Sequence, residues 1–210
     1  MELRLNNVRV ACMDIARFAA ELRAATGLGC YDLASQRPGE ADRGYRTWGV
    51  PFPGFQCLEV FAITDPDRAP RSIVERAQTG PRFAGWGVRT DDIDAIAHSL
   101  DLPVRHTGEY VDGYGDTWAM RFLMNTAPGF PYFIEYEQRP EEWRIDLAQH
   151  DVDVRGISWI EVGGEAAAIT DWLGDAALPE MRYAGGEPGI TAIGIATGGA
   201  DVELRLPAFG

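Results

Sequence analysis

Apolar and polar residues alternate over short stretches of this chain and then recur at helical spacing, and this order occurs twice. Residues 3–12 alternate, and they lead into Asp14, whose carboxylate can cap a helix N-terminus. Apolar residues at helical spacing then run up to Gly27. The stretch 83–100, FAGWGVRTDDIDAIAHSL, repeats this order of strand, acidic cap and amphipathic helix. The pattern predicts a strand and a helix at both places.

Further alternating segments complete each copy as a β-α-β-β-β unit. Each copy ends in a strand centred on an acid, CLEVF around Glu59 and FIEYE around Glu135. A shift of 78 residues places Asn7 on Gly85 at the start of the copies. We therefore predict that the N-terminal part of the chain consists of two copies of one unit.

The predicted domain organisation has three units and two connectors. Proline and charged residues mark 65–82 as a connector with a helical turn or two, and 139–155 is a second charged connector. A third run of strand, helix and strands begins at GISWIEVGG and resembles a shortened copy of the unit. The predicted fold is α+β, with boundaries at 1–64 for the first unit, 83–138 for the second and 156–210 for the third.

Charge and composition exclude several classes of partner and chemistry. A net charge of −13 and a pI near 4.6 disfavour binding to nucleic acid or to an anionic membrane. All 19 basic residues are arginine, so the chain has no lysine for a Schiff base or a phosphate-binding loop.

Cysteine usage and the N-terminus predict a cytoplasmic protein. The three cysteines, Cys12, Cys30 and Cys57, are widely spaced in apolar sequence, which predicts buried thiols rather than a disulfide framework. The N-terminal sequence lacks a signal-peptide pattern, and no apolar run approaches the roughly 18 residues of a membrane span.

The paired units resemble the vicinal oxygen chelate superfamily, which includes glyoxalases and bleomycin-resistance proteins. The strings GWGVRTDDIDAIAHSL, PYFIEYEQRPEEW and GISWIEVGG are similar to its bacterial glyoxalase-like domain group. The resemblance implies half-barrel sheets around a shared cavity, with helices on the outside and a small organic molecule as ligand. It also implies a possible homodimer, because such half-barrels can be completed within or between chains.

Metal-dependent members of the superfamily hold an ion with residues of the first and fourth strands of both units, commonly a His and a Glu. The fourth strands match this pattern with Glu59 and Glu135, whereas Asn7 and Gly85 occupy the histidine positions. Two carboxylates could recruit a hard divalent ion, but they would not form a tight transition-metal site. We therefore expect no cofactor, which argues against glyoxalase-type isomerisation and extradiol dioxygenation.

Glu59 and Glu135 are the candidate catalytic residues. Strand alternation sends each acid to the face opposite its immediate neighbours. If those faces line the cavity, the two carboxylates can act as a general acid and base, since their repulsion raises one pKa. The alternative is a solvated sheet face.

Several other polar and aromatic residues are candidate ligand-binding groups. Arginines on predicted strand faces can steady an oxyanion, or they can form structural ion pairs with the two glutamates. A histidine beside the loop 108–116 can reach the cavity mouth, and a strand tryptophan can form an apolar wall; the alternative for both is a structural role. The predicted ligand-binding set is Asn7, Arg9, Arg89, His106, Trp118 and Arg121.

Three functions are compatible with these features. The first is a small-molecule-binding enzyme in which Glu59 and Glu135 carry out isomerase, epimerase or lyase chemistry. The second is a non-catalytic protein that sequesters or senses a drug or metabolite. The third is a scaffold whose cavity is filled by its own side chains.

Overall fold

The computed structural model describes residues 2–33, 41–125, 129–174, 178 and 180–206. Its four helices in these ranges are α1 (Ile15–Thr26), α2 (Arg71–Ala77), α3 (Ile93–Leu100) and α4 (Ala166–Leu173). None of them is long and apolar enough to cross a membrane. The strands of the first unit are β1 (Leu3–Cys12), β2 (Tyr31–Asp32), β3 (Tyr45–Phe52) and β4 (Gln56–Ile63).

The third unit has the same run of elements as the first, and the second unit has one further short strand, Tyr110–Val111. The strands of the second unit are β5 (Arg82–Thr90), β6 (Arg105–His106), β7 (Tyr110–Val111), β8 (Thr117–Leu123) and β9 (Tyr132–Gln138). Those of the third are β10 (Val154–Gly163), β11 (Met181–Tyr183), β12 (Gly189–Thr197) and β13 (Val202–Arg205). The predicted α+β class is confirmed.

Acidic caps start the first helix of both units, as the sequence predicts. The Asp14 carboxylate accepts a hydrogen bond from the Arg17 amide at 3.0 Å, and Asp92 accepts one from the Ala95 amide at 3.0 Å. α1 ends at Gly27, whose φ of 75° is left-handed and favours glycine.

The first two units are halves of one curved, open sheet. Its strand order in the described residues is β2-β3-β4-β1-β5-β9-β8-β6, with β7 on β8. The first strand of each unit runs parallel to the last, as β1 does to β4 and β5 to β9. An antiparallel pairing of β1 with β5 joins the halves. This arrangement confirms the predicted repeat.

The third unit has the same element order but a different strand order. Its sheet runs β11-β10-β12-β13, so its first strand lies between its second and third strands. In the first unit, the first strand instead lies beside the fourth. The difference lies in which strand pairs parallel to the first strand of the unit. In the third unit it is β11, the strand that follows α4. In the first two units it is the last strand of the unit.

One face of the large sheet, the core face, packs against helices and the third sheet. Leu5, Val8 and Val10 of β1 share an apolar core with Phe18 of α1 and Ile193 of β12. The alternation of β1 shifts at a β-bulge between Leu5 and Asn7 in its pairing with β5. The opposite face carries the cavity and is called the cavity face below.

The two predicted connectors cover separate parts of the cavity face. α2 packs Val74 and Ala77 on Ala11 and Phe61, and the segment after β9 packs Trp143 on an aromatic cluster that includes Phe55. The sequence predicts both segments as linkers, because charged residues and proline dominate them and the few apolar residues that make these contacts form no periodic pattern.

All three cysteines are free. Burial raises the pKa of Cys12 to about 12 and that of Cys30 to about 11, so both thiols stay protonated at neutral pH. The prediction of buried thiols is confirmed for Cys12 and Cys57, whereas Cys30 is half-buried.

His150 fastens the second connector to the first unit, and we predict that it makes the fold sensitive to acid. Nδ1 accepts from the Gly29 amide at 3.1 Å, so Nε2 carries the proton and donates to the Pro51 carbonyl at 3.0 Å. Burial lowers the pKa of His150 below its usual 6.5, so the unfolded chain takes up the proton first on acidification. The stability contribution is complete above about pH 6.5 and declines as the pH falls through the folded-state pKa.

Urea unfolding of the wild type and H150Q between pH 7.5 and 5 measures this effect. The stability difference between the two proteins is expected to shrink on acidification. A constant difference over that range would contradict the prediction.

Candidate functional site

A cavity of about 780 Å³ lies on the cavity face between the two paired units. Both units and α2 contribute to its wall. The described lining residues are Asn6, Arg9, Arg43, Tyr45, Glu59, Phe61, Ile73, Arg105, His106, Thr107, Tyr110, Trp118, Met120, Phe122, Tyr132, Ile134, Tyr136 and Trp143.

An ion pair lies at the centre of the cavity floor. Arg9 of β1 and Glu59 of β4 are register partners, and Arg9 Nε lies 3.2 Å from Glu59 Oε2. The Glu59 side chain is 5% exposed and that of Arg9 is 22% exposed. The guanidinium lies over the Tyr132 ring at 4.0 Å, and its Nη atoms donate no hydrogen bond to any described residue. The pair therefore presents a carboxylate and unused N–H donors side by side.

The β-bulge places two buried asparagines beside this pair. The Tyr132 hydroxyl donates to Asn7 Oδ1 at 2.7 Å, and the Tyr136 hydroxyl donates to Asn6 Oδ1 at 3.3 Å. Tyr132 reaches Asn7 by crossing Gly87, where an added Cβ would lie 2.4 Å from the Tyr132 ring. The asparagines thus fix the two tyrosines that form part of the wall.

An aromatic cluster of Phe55, Trp118, Tyr136 and Trp143 forms another wall, with ring centroids 4.9 to 6.2 Å apart. Buried Asp112 fixes the tryptophan of β8, because its carboxylate accepts from Trp118 Nε1 at 2.9 Å and also from two loop amides. Trp118 therefore lies in the wall, in the position that the sequence suggests.

The prediction that Glu135 faces the cavity together with Glu59 is wrong. Glu135 lies on the core face, where it pairs with Arg121 Nη1 at 2.9 Å and approaches the Ile93 amide at the start of α3 at 3.4 Å. Its neighbours Tyr132, Ile134 and Tyr136 face the cavity instead. Both faces of β9 are covered by protein, so alternation alone could not identify the cavity side.

The predicted position of Arg121 in the cavity is wrong for the same reason. Its guanidinium bonds Glu135 and Asp94 on the core face. That contact with Arg121 holds the pKa of Asp94 below its usual value, with a smaller contribution from His106. Arg121 therefore belongs to an ion-pair network that ties β8 to α3.

Arg89 and His106 also differ from the prediction. Arg89 lies outside the cavity lining, in a recess of about 450 Å³ with Arg4 and Arg139, and burial, reinforced by Arg139, lowers its pKa. His106 is an exposed rim residue, and its register partner is Arg121 of the core face. Its neighbour Arg105 pairs with Phe122 of the cavity face.

Arg105, Asn6 and the two tyrosines of β9 are site residues that the sequence prediction missed. The alternation of Tyr132, Ile134 and Tyr136 carried a usable signal, because a strand with two tyrosines on one face offers a polar aromatic wall. Arg105 lies on a strand of two residues, which is too short for a periodic pattern.

The residues at the superfamily's metal positions do not fit a metal ion. Asn7 Oδ1 already accepts from Tyr132, Glu59 pairs with the cation Arg9, and the other carboxylate lies on the core face. Within the described ranges, no three His, Cys, Asp or Glu side chains lie close enough together to hold an ion. The expectation of no cofactor remains a prediction.

Comparison with known proteins places the chain in a family. A model of the glyoxalase-like domain matches residues 8–178. No curated protein sequence matches the chain. A structure of a hypothetical protein from Staphylococcus aureus is 13% identical, with a TM-score of 0.59, and the match covers 96% of this chain and 98% of that one.

Structures of methylmalonyl-CoA epimerase also match, at lower similarity. The Mycobacterium tuberculosis epimerase is 17% identical with a TM-score of 0.45, and the match covers 65% of this chain and 89% of the epimerase. A variant of the Streptomyces coelicolor epimerase in complex with 2-nitronate-propionyl-CoA is 17% identical with a TM-score of 0.42, covering 63% and 95% of the two chains. On the family-model match, which spans most of its length, the chain belongs to the glyoxalase-like domain family of the vicinal oxygen chelate superfamily.

Proposed function

We propose that the protein binds a small organic molecule with a carbonyl or carboxyl group in this cavity, and that Glu59 moves a proton on that molecule. The observation that carries the proposal is the Arg9–Glu59 pair on the floor of an aromatic cavity. A volume of about 780 Å³ lies within the range of small-molecule sites.

The adjacent groups suit proton abstraction next to a carbonyl. The substrate oxygen accepts hydrogen bonds from the Nη groups of Arg9, which brings the neighbouring carbon towards the Glu59 carboxylate. The C–H bond breaks, its proton passes to Glu59, and the electron pair forms an enolate whose oxygen Arg9 stabilises. Glu59 then returns the proton to the same carbon or to a conjugated carbon.

The cavity holds one carboxylate among its described lining residues, and this favours one class of proton transfer. A single base that takes and returns a proton on one face of the substrate suits an isomerisation by proton shift. Epimerisation needs proton delivery to the opposite face, and Glu135 cannot provide it from the core face. We therefore place isomerisation ahead of epimerisation.

Deuterium exchange tests this role of Glu59, with Glu135 as a matched control. A panel of small ketones, 2-oxo acids and aryl-substituted carbonyl compounds in D₂O is followed by NMR for loss of the C–H signal next to the carbonyl. The wild type is expected to accelerate exchange in at least one compound, and E59Q to lose that acceleration by about 100-fold or more. E135Q should keep it within about threefold, because surface and structural changes away from the reacting groups act only through stability.

Equal losses in E59Q and E135Q would overturn the catalytic assignment. A compound that binds without exchanging would instead support the second candidate, a sequestering or sensing protein. The aromatic cluster of Phe55, Trp118, Tyr136 and Trp143 favours that candidate, since it offers apolar binding surface without reactive groups.

A further inference from the structure

The described lining of the cavity holds more cations than anions, although the chain as a whole carries a net charge of −13. The charged residues among its described lining are Arg9, Arg43, Arg105 and Glu59, with His106 at the rim. A chain with 32 acidic and 19 basic residues would be expected to show the opposite balance. The excess of positive charge is therefore a property of the site.

Arg105 is the clearest source of this excess. Glu59 compensates the charge of Arg9, whereas Arg105 lies within 4.0 Å of no acidic group of the described residues. Its strand is the outer edge of the second unit, and its register partner Phe122 lines the cavity. Arg43 contributes from the opposite half of the sheet, just before β3.

We infer that the ligand is an organic anion with a flat, apolar body, and that Arg105 binds its carboxylate at the cavity rim. This inference rests on the proposed function and adds the ligand's charge and the residue that selects it. A guanidinium matches the geometry of a carboxylate with two parallel hydrogen bonds. The aromatic walls hold the body of the ligand, and the Arg9–Glu59 floor receives its other end.

The acidic surface of the protein does not prevent this binding. At physiological ionic strength, charges more than about 8 Å away are largely screened. Nearby cations in a cavity with apolar walls act more strongly, because those walls focus the field. Binding of the anion should therefore weaken as the salt concentration rises, because salt screens its attraction to the cations at the rim.

Pairs of acids and amides of the same shape provide the test. The probes are phenylacetate, 3-phenylpropanoate and 4-phenylbutanoate, each with its primary amide, and dissociation constants are measured by NMR titration of the tryptophan side-chain signals at 50 mM salt. At least one acid is expected to bind about tenfold or more tightly than its amide. R105Q should weaken binding of the acid much more than binding of the amide, and so remove most of that difference. R155Q is the control, because Arg155 forms an exposed pair with Asp153 in the third unit.

The outcomes separate the inference from the proposed function. If acid and amide bind equally, or if R105Q and R155Q behave alike, Arg105 does not select an anion, while the cavity remains a ligand site. If none of the six probes perturbs Trp118, both the anion preference and the proposed ligand site are overturned.

Discussion

Arg9→Met is expected to lower the free energy of unfolding at pH 7 by about 3 kcal/mol. Methionine keeps much of the arginine stem that packs over Tyr132, but it breaks the ion pair of Arg9 with the Glu59 carboxylate, whose side chain is 5% exposed. Breaking a buried ion pair is costly because water cannot take the place of the lost partner. Urea unfolding followed by tryptophan fluorescence measures the loss.

Two further variants separate this charge effect from lost packing. R9M/E59L replaces both partners with apolar side chains and should recover most of the loss, since removing a buried pair altogether is often close to neutral. R121M should cost less than R9M, because Glu135 keeps the Ile93 amide as a partner. A double variant no more stable than R9M would show that lost packing, and not the broken ion pair, causes the loss of stability.

The elements of this fold were predictable because each has a local cause. Asp14 and Asp92 cap helices by accepting hydrogen bonds from backbone amides three residues later in the chain. Gly27 ends α1 because it adopts a left-handed φ. Short-range signals of this kind survive in any tertiary context. The strand order of the third unit had no such signal, because it depends on which strands meet after α4.

The site was only partly predictable, and the reason lies in how its strands are covered. β4 and β9 each have protein on both faces, so an acid within either strand leaves the same sequence pattern whichever way it points. Glu59 points into the cavity and Glu135 points to α3. Their similar positions in the last strands of the two units suggested equal roles, but the contacts of β9 with β5 and α3 determine which face each side chain occupies.

Long-range contacts also explain why the connectors were underestimated. Ile73 of α2 and Trp143 after β9 both line the cavity, yet each lies in a segment whose composition is that of a linker. One apolar residue among charged neighbours has no periodic partner in sequence. The packing role of such a residue depends on the apolar surface that the folded sheet places against it.

Gly87→Ala is expected to destabilise the fold by about 2 kcal/mol and to abolish ligand binding. The added Cβ would lie 2.4 Å from Tyr132 Cζ and 2.5 Å from Asn7 Oδ1, closer than atoms in contact can approach. Tyr132 is only 4% exposed and lies beneath the Arg9 guanidinium, so the ring has to move into the cavity. The displaced ring breaks its hydrogen bond to Asn7 and occupies the space above Glu59.

A double-mutant cycle with Tyr132 tests this explanation, because contacting residues couple whereas independent ones add. In a Tyr132→Val background the clash with the ring is gone and only the contact with Asn7 Oδ1 remains, so Gly87→Ala should cost about half as much there. Tyr132→Phe removes the hydroxyl, and with it the hydrogen bond to Asn7, and should cost about 1 kcal/mol. If Gly87→Ala costs the same in the wild-type and Tyr132→Val backgrounds, the clash with the ring is not the cause, and Gly87 does not determine where the cavity wall lies.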